Sequence, residues 1–306
     1  NGEVGSEATQ GIRWRPSQKN TAGPGQGDAG SYVSRTSTYD LERVKNHLLS
    51  TYGYDPGSYT DFPNFAVDDY RIMARLDWNI DDRNQLMVRY NMVNSVSDQT
   101  ASGSMPTGLG SSASRYSVNA FNFSNANYGF LNRVHSLTGE WNSQFSSRVS
   151  NKLLVTWMNN KSVRTSPSAE FPFVDILEGG TQYMSFGYEL FSYNNGVTNK
   201  SFTVTDNVTV ALGDHTLTAG ASFERQYFLN SYIREGLSYY RYNSVDDFLN
   251  DARPAAFALT YPFAGEDAIR GTELTFGMAS AYVQDEWQIN PRFKLTAGLR
   301  FEMPFC

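Results

Sequence analysis

The sequence predicts an all-β fold in which antiparallel strands form part of the wall of a transmembrane β-barrel. Three observations support this fold class. Several segments alternate between apolar and polar residues, short turns alternate with long loops, and aromatic residues make up 14% of the chain. Alternation is typical of half-buried strands, and aromatic residues favour strands and membrane interfaces.

The composition of the 306-residue chain excludes several other classes of protein. Hydrophobic residues account for 40% of the chain and charged residues for 18%, which is too apolar for a disordered protein. The net charge of −6 argues against a nucleic-acid-binding protein, which presents a basic face. The sequence has no run of about 18 apolar residues, so no transmembrane helix is predicted. The single cysteine, Cys306, excludes an internal disulfide and a cysteine-based metal site.

Residues 1–65 are interpreted as a loop-rich segment with one short helix. Residues 1–38 are rich in Gly, Ser, Thr and Pro, a composition that favours a loop or tail. A helix is predicted over Tyr39–Tyr52, where apolar residues recur on one helical face. Residues 66–306 contain the predicted strands, and we assign them to a partial barrel.

Four β-hairpins are predicted after residue 66. In the first, Tyr70–Ile80 alternates apolar with polar residues, the polar stretch Asp81–Asn84 turns the chain, and Gln85–Met92 returns. The same unit recurs around three further turns: Ser143–Ser147, Gly213–Asp214 and Asn290–Arg292.

Long segments rich in Ser, Asn, Gly and Tyr separate these hairpins, over roughly residues 95–130, 160–200 and 230–273. Outer-membrane barrels have short periplasmic turns and long extracellular loops, whereas a soluble sandwich usually has turns of mixed length at both ends. The asymmetry therefore predicts at least eight strands of a barrel wall in the bacterial outer membrane, with long extracellular loops.

The alternation divides the side chains of the predicted wall between two faces. One face is expected to line the lumen, where its polar residues either border a solute pathway or only wet the wall and contact a plug. These residues are Arg71, Arg75, Asp77, Arg89, Lys294 and Arg300. Aromatic residues near the strand ends are expected at the two membrane interfaces. They are Tyr70, Trp78, Trp141, Trp157 and Trp287.

Three charged residues depart from this division, because Asp206, Arg225 and Asp285 share the parity of apolar neighbours. A lipid-facing Arg costs roughly 2–4 kcal/mol at the midplane of the membrane, and an Asp costs less. Either a β-bulge reverses the parity locally, or the charge lies outside the hydrocarbon layer. The sequence leaves both explanations open.

No motif indicates catalysis, a metal site or a cofactor, so the protein is not expected to be an enzyme. The histidines His47, His135 and His215 lack metal-ligand spacing, and we expect surface or lumen positions for them. The adjacent carboxylates Asp81 and Asp82 fall in a polar turn and are interpreted as solvated rather than as a catalytic pair.

Tyrosine-rich clusters in or beside the long loops are the candidates for ligand contacts. Tyr-rich loops make adaptable contacts, although these clusters are equally well explained as strand extensions above the membrane. The candidate residues are Tyr188, Tyr239, Tyr240, Arg241 and Tyr242.

Three segments resemble a known family. TonB-dependent outer-membrane receptors have barrel hairpins that resemble Tyr282–Phe305, with the sequence YVQDEWQINPRFKLTAGLRFEMPF, and Gly213–Phe228, with the sequence GDHTLTAGASFERQYF. The Oar-like branch of that family is similar to Phe65–Asn91, with the sequence FAVDDYRIMARLDWNIDDRNQLMVRYN. The resemblance covers about residues 40–305.

The resemblance implies a segment of an energised transporter, whose complete barrel has about 22 strands around a plug domain. No plug or TonB-contacting segment is recognised in the sequence, so we expect an internal barrel fragment of a longer chain. The implied partners are outer-membrane lipid, the plug and the energy-coupling protein TonB through the parent chain, and an imported solute; no nucleic-acid partner is expected.

The class of solute, whether siderophore, glycan or peptide, is not indicated by the sequence. Two alternatives remain open at this point. The chain could be an outer-membrane adhesin or structural barrel whose long loops bind a partner, or a soluble β-sandwich binding module.

Overall fold

The computed structural model of the protein describes residues 2–3, 11–14, 33–60, 65–106, 109, 115, 120–263, 269 and 271–306, with side chains from Thr36 onward. Near the N-terminus, three short strands form an antiparallel sheet. They are β1 (Gly2–Glu3), β2 (Gly11–Trp14) and β3 (Val33–Ser37). Most of the predicted loop or tail over residues 1–38 lies outside the described residues.

The helix that the apolar periodicity predicted is present as α1 (Thr38–His47), which continues into one π-helical turn (Leu48–Tyr52). Ser37 caps its start, because its side chain accepts a hydrogen bond from the backbone N–H of Asp40. Gly53 ends the π-helical turn in the left-handed region, at a φ of 64°, where glycine carries no steric penalty.

The rest of the chain is mostly strand. A 3₁₀ turn (Ser124–Ala126) and a short helix, α2 (Val245–Leu249), interrupt it. The strands, in chain order, are β4 (Val67–Asn79), β5 (Asn84–Gln99), β6 (Phe121–Asn122), β7 (Tyr128–Gln144), β8 (Val149–Thr165), β9 (Phe173–Glu178), β10 (Thr181–Phe186), β11 (Gly196–Leu212), β12 (His215–Ser231), β13 (Tyr239–Tyr242), β14 (Ala256–Ala258), β15 (Thr272–Asn290) and β16 (Phe293–Phe305).

Eight of these strands form one antiparallel sheet, which we call the wall. Its strands are neighbours in chain order, β4-β5-β7-β8-β11-β12-β15-β16. The four tight turns that the sequence predicted join them in pairs, so the predicted hairpins are confirmed. No helix among the described residues is both long and apolar enough to cross a membrane.

The wall strands are longer than a membrane crossing requires. A tilted strand needs about 9–11 residues to cross the hydrocarbon layer, whereas β4 has 13 residues and β15 has 19. Because short turns join the strands in pairs, the two strands of each hairpin end at the same height at one end of the sheet. The additional length must therefore project at the opposite end, where the long connections begin.

The long connections contain a second sheet. From the sequence we interpreted these segments as loops and did not predict this sheet. Its strand order is β14-β13-β9-β10-β6. Strands β9 and β10 form an antiparallel hairpin around Gly179 and Gly180, whose φ values of 59° and 77° suit a tight hairpin turn. Strand β13 pairs in parallel with β9, and β6 pairs in parallel with β10, so all three long connections contribute strands.

Every buried hydrophobic residue of the described side chains lies outside the eight wall strands. We call the second sheet, α1, the π-helical turn, α2 and the described parts of the long connections that contact them the cap. The main core of the cap joins helix, turn and sheet residues. It contains Leu41, Val44, Leu48, Tyr54, Phe121, Phe123, Val174, Ile176, Tyr183, Met184, Phe186, Val245 and Phe248.

Helix α1 thus packs on the long connections, across the division at residue 65 that the sequence suggested. The assignment of residues 1–65 and 66–306 to separate units stays a prediction. The wall, in contrast, is a single layer, and a single layer cannot bury a core of its own.

Candidate functional site: the polar face of the wall and the cap

The register of the wall separates polar from apolar side chains. Residues that pair across antiparallel strands lie on the same face of the sheet. The pairing Arg75–Arg89–Thr138 runs along one face, and the pairing Trp78–Leu86–Trp141 runs along the other. We call these the polar face and the apolar face.

The six residues predicted to face the lumen all lie on the polar face. They are Arg71, Arg75, Asp77, Arg89, Lys294 and Arg300. The five aromatic residues predicted at the membrane interfaces all lie on the apolar face. They are Tyr70, Trp78, Trp141, Trp157 and Trp287. The lumen and interface roles themselves stay predictions.

The three exceptional charges lie on the apolar face, since the register of β11, β12 and β15 runs past them without a shift. A local β-bulge is therefore not the explanation. The amide Nδ2 of Asn151 donates to Asp206 Oδ1 at 2.7 Å. The ring nitrogen Nδ1 of His215 lies 2.7 Å from Asp285 Oδ2. Arg225 lies nearer to the long connections than to the short turns.

Three cations of the polar face pair with neighbouring carboxylates of the same face. Arg75 contacts Asp77 through two hydrogen bonds of 2.8 Å. Lys294 Nζ lies 2.6 Å from Glu286 Oε2, and Arg300 Nε lies 2.6 Å from Glu302 Oε1. Arg89, in contrast, forms no ion pair among the described residues, and its buried Nε has no hydrogen-bond partner there.

A concave region of about 830 Å³ lies beside the short turns between β4 and β5 and between β7 and β8. Its lining is almost entirely polar and includes Asp82, Asn142, Lys152 and Tyr282. Within the described part of the chain, no group of three His, Cys, Asp or Glu side chains is arranged to bind a metal ion. The region can accept water or a polar surface.

Tyr282 lines this region, and a glycine makes its position possible. Its hydroxyl donates to Asn207 Oδ1 at 2.6 Å. A Cβ atom added to Gly220 would lie 2.3 Å from that same oxygen and 2.4 Å from Cε1 of the Tyr282 ring. Only glycine at this position therefore leaves room for the ring and its hydrogen bond.

The cap holds a buried ion pair on the face of its sheet opposite the main core. Asp175 and Arg115 are both almost fully buried. Arg115 donates from Nε to Asp175 Oδ1 at 2.9 Å and from Nη2 to Oδ2 at 2.7 Å, a bidentate geometry. The Arg115 guanidinium also lies over the ring of Phe173, 4.8 Å from its centroid.

Three further side chains donate to the same carboxylate. Ser185 Oγ and Gln182 Nε2 donate to Asp175 Oδ1 at 2.7 and 2.9 Å, and the hydroxyl of Tyr239 donates to Oδ2 at 2.7 Å. Arg115 also donates from Nη1 to the backbone oxygens of Ser102 and Ser104. Since these groups come from all three long connections, the network ties the connections together.

Electrostatics favour the charged form of this pair. Burial by itself would raise the pKa of Asp175, but the charge of Arg115 and the hydrogen bonds outweigh it and hold this pKa below its ordinary value. Burial and the neighbouring Asp175 charge raise the pKa of Tyr239 above its ordinary value. Asp175 therefore stays ionised and accepts hydrogen bonds, and Tyr239 stays protonated and donates one.

The predicted ligand-contact residues are distributed over both faces of the cap. Tyr239 is fully buried in the network, and Arg241 Nε donates to its hydroxyl at 2.9 Å. Tyr240 and Tyr242 pack against the main core, on the face that the helices cover. Tyr188 is half-buried and contacts Tyr193 edge to face, with ring centroids 6.0 Å apart. Their role in ligand binding stays a prediction.

The cap joins the polar face of the wall through Arg164, near the end of β8. Its guanidinium stacks over Tyr128 and Phe130 of β7, and its Nη1 lies 3.6 Å from Oε2 of the buried Glu189. Ser192 Oγ and the backbone N–H of Phe191 also donate to Glu189 Oε2. Burial raises the pKa of the Glu189 carboxyl above its ordinary value, against the lowering effect of these donors and of Arg164.

Sequence reasoning missed Asp175 and Arg115 because it treated both as loop residues. One signal was available, since FVDILEGGTQYMSF (Phe173–Phe186) has two apolar-rich segments around a Gly-Gly pair, which favours a hairpin. No local signal marks Arg115, because its partner lies 60 residues further along the chain.

Comparison with known proteins agrees with this architecture. The solved structures that resemble the chain include YddB, an outer membrane transporter from Escherichia coli, with 12% identity and a TM-score of 0.50 over 77% of this chain and 27% of that one. They also include BauA, the ferric preacinetobactin receptor from Acinetobacter baumannii, with 11% identity and a TM-score of 0.44 over 78% of this chain and 34% of that one.

A third is Fiu, the ferric-catecholate import receptor from E. coli K12, with 14% identity and a TM-score of 0.42 over 78% of this chain and 37% of that one. The chain therefore spans between about a quarter and two fifths of the length of these proteins. At such identities the likeness to YddB shows the fold alone. None of the curated proteins matches the sequence significantly.

The soluble sandwich is not favoured, because eight strands form one continuous sheet and do not pack as two layers. The family described as outer membrane beta barrel domain matches residues 2–305. With the short turns, the two-faced wall and this match, the chain belongs to the outer membrane β-barrel domain family and is a protein of the bacterial outer membrane.

Proposed function

We propose that the chain supplies part of the wall and of the extracellular cap of a TonB-dependent transporter, of the Oar-like branch, that imports a scarce solute. The observation that carries this proposal is the polar face of the wall, which extends from the concave region at the short turns up to the cap. Arg164 belongs to this face and contacts the cap, so the solute would meet cap and polar face in succession.

The polar face is assigned to the lumen. Arg75, Lys294 and Arg300 each pair with an Asp or Glu on the same face, which lowers the net charge that a polar solute or a packed domain would meet. The plug domain, supplied by the rest of the protein, would pack on the concave region beside the short turns, and TonB would act through that plug. The apolar face is assigned to outer-membrane lipid.

The cap is assigned to solute recognition at the extracellular side. Its half-buried tyrosines, Tyr188, Tyr240 and Tyr242, are the candidate contacts, whereas Tyr239 and Arg241 support them through the buried network. A siderophore, a glycan and a peptide are all compatible with such aromatic and polar contacts. Outer-membrane barrels generally have a polar inner face, so an adhesin would share it, and dependence on energy coupling is the property that separates transport from adhesion. An enzymatic role is not proposed.

Uptake measurements test the proposal. In a strain that lacks the full-length gene, we expect loss of growth on one scarce nutrient among iron chelates, glycans and peptides, with restoration by the full-length gene. Deletion of the energy-coupling protein should cause the same loss. Growth that depends on the gene but not on TonB would contradict the proposed energy coupling. Recovery of the product only in the cytosol would contradict the membrane assignment.

A further inference from the structure

Four cations form a belt on the apolar face of the wall, close to the long connections. They are Arg133 on β7, Lys161 on β8, Lys200 on β11 and Arg225 on β12. Each lies about ten to twelve residues beyond the short-turn end of its strand. All four side chains belong to exposed residues, on four adjacent strands.

The height of the belt follows from strand geometry. At about 3.3 Å per residue and a tilt of about 40°, eleven residues rise roughly 28 Å above the short turns. The apolar band of an outer-membrane barrel is about 25 Å tall. The four cations therefore lie just beyond the apolar band, at the level of the outer-leaflet headgroups.

The belt places four positive charges close together without carboxylate partners among the described residues. Arg133 and Lys161 are direct cross-strand partners, and Lys200 is a diagonal neighbour of Lys161. Like charges directly opposite each other destabilise a sheet unless an anion lies between them. None of the four forms an ion pair with a carboxylate of the described residues, whereas Arg75, Lys294 and Arg300 of the polar face each have one.

The contacts that the belt does make orient its cations and leave their charge available. Arg133 Nε donates to Asn94 Oδ1 at 3.0 Å, and Lys200 Nζ lies 5.5 Å from the ring centroid of Tyr227. Glu273, on the same face, pairs with Leu229 of β12 one row beyond Tyr227 and is further from the short turns than the belt.

Aromatic residues form the membrane side of the belt. Phe202 is the cross-strand partner of both Trp157 and Arg225, so an apolar surface lies directly beside the cations. A ligand that suits this arrangement carries phosphate next to hydrocarbon. Arg binds phosphate in a bidentate manner and Lys binds it as a point charge.

We infer that the belt of Arg133, Lys161, Lys200 and Arg225 binds the phosphate groups of lipids in the outer leaflet of the membrane. This inference rests on the proposed orientation of the apolar face towards lipid, but not on transport. The phosphates lie between the four strands and offset the repulsion between Arg133 and Lys161. The acyl chains lie against Phe202 and Trp157.

Lipid retention by the full-length protein, purified in detergent, tests the inference. Mixed micelles containing phosphatidic acid or phosphatidylcholine supply the two probes, and bound lipid is measured by native mass spectrometry. We expect at least about tenfold preference for phosphatidic acid. The variant R133Q/K161Q/K200Q/R225Q should lose this preference. The polar-face variant R71Q/R75Q/K294Q/R300Q, with the same change of charge, should keep it.

Three outcomes would overturn the inference: equal retention by the belt variant, equal loss in the polar-face control, or full displacement of lipid by inorganic phosphate, which would indicate a site for the free anion. Heat-dependent mobility on a gel checks that each variant is folded. If the fourfold variant does not fold, K161Q/K200Q replaces it, with R71Q/K294Q as its control. Uptake is not involved in the readout, so a failure of the transport proposal would leave this result unaffected.

Discussion

Replacing Asp175 by Asn should open the cap while leaving the wall intact. The substitution removes the charge that compensates Arg115 and keeps the size of the side chain. Arg115 would then remain buried, with Tyr239, Ser185 and Gln182 facing an amide that cannot accept all their hydrogen bonds. The wall is expected to persist because its long ladders of backbone hydrogen bonds do not involve Asp175.

Breaking a buried ion pair by removing one partner costs about 3–5 kcal/mol. At about 1.4 kcal/mol for each tenfold change in an equilibrium constant, the open form of the cap should become at least about a hundredfold more populated. The pKa of Asp175 is lowered, so the pair contributes its full stability above the unfolded pKa of about 4 and loses it as the pH falls through the folded pKa. Measurements at neutral pH therefore report the intact pair.

Hydrogen exchange measured by mass spectrometry on the full-length protein is the appropriate assay, because exchange detects local opening. In the D175N variant, peptides covering β9, β10 and β13 should exchange at least about a hundredfold faster than in the unmodified protein, if exchange follows the open population. Peptides covering β11 and β12 should change little.

An exposed ion pair of the same cap provides the control. Arg43 Nη2 lies 2.6 Å from Asp246 Oδ1, and this pair joins α1 to α2. Because its carboxylate is well exposed, we expect R43M to cost under about 1 kcal/mol. Unchanged exchange in D175N, or equal acceleration in D175N and R43M, would refute the reasoning that the buried pair holds the cap together.

Three further predictions concern the wall and the link to the cap. Gly220→Ala should displace the ring of Tyr282 and lower the free energy of unfolding in urea by about 1–3 kcal/mol. Gly139→Ala is the control, because no atom lies within 4 Å of the added Cβ, and it should leave the free energy of unfolding unchanged. Equal losses in the two variants would contradict the packing argument. The raised pKa of Glu189 means that its contribution to cap stability is fully present below the unfolded pKa of about 4.5 and is lost as pH rises through the folded pKa. Glu189→Gln should therefore flatten the decrease in cap stability as the pH rises above about 4.5, measured by pulse proteolysis, and an unchanged slope would count against this assignment. In a background without the native cysteine, Arg89→Cys should react with a water-soluble thiol reagent in intact membranes and Tyr90→Cys should not; the reverse pattern would exchange the two faces.

The wall could be predicted because its signals are local. Alternation of side chains has a period of two along any strand, so Tyr70–Ile80 reveals its two faces without knowledge of its neighbours. The short turns are equally local, and Gly213 adopts the positive φ of 63° that such a turn favours. These signals identified the eight strands, their hairpins and the division of the predicted lumen and interface residues between two faces.

The long connections were misinterpreted because their structure depends on distant residues. Strands β6 and β13 have only two and four residues, too few for a periodic pattern to be recognised. Each pairs in parallel with a strand from another connection, and parallel pairing leaves no turn signal in the sequence. Asp175 and Arg115 carry no local signal for the same reason.

Local sequence patterns thus determined the strands of the wall, its tight turns and the chemistry of each face, since the period of a strand is a property of the chain itself. The register between strands, which only the tertiary structure decides, placed Asp206, Arg225 and Asp285 on the apolar face. It also brought Arg133 opposite Lys161, with Lys200 one row away. The cap likewise exists only because three long connections meet above one end of the sheet. Their contacts bury hydrophobic side chains and an ion pair that no single segment can enclose.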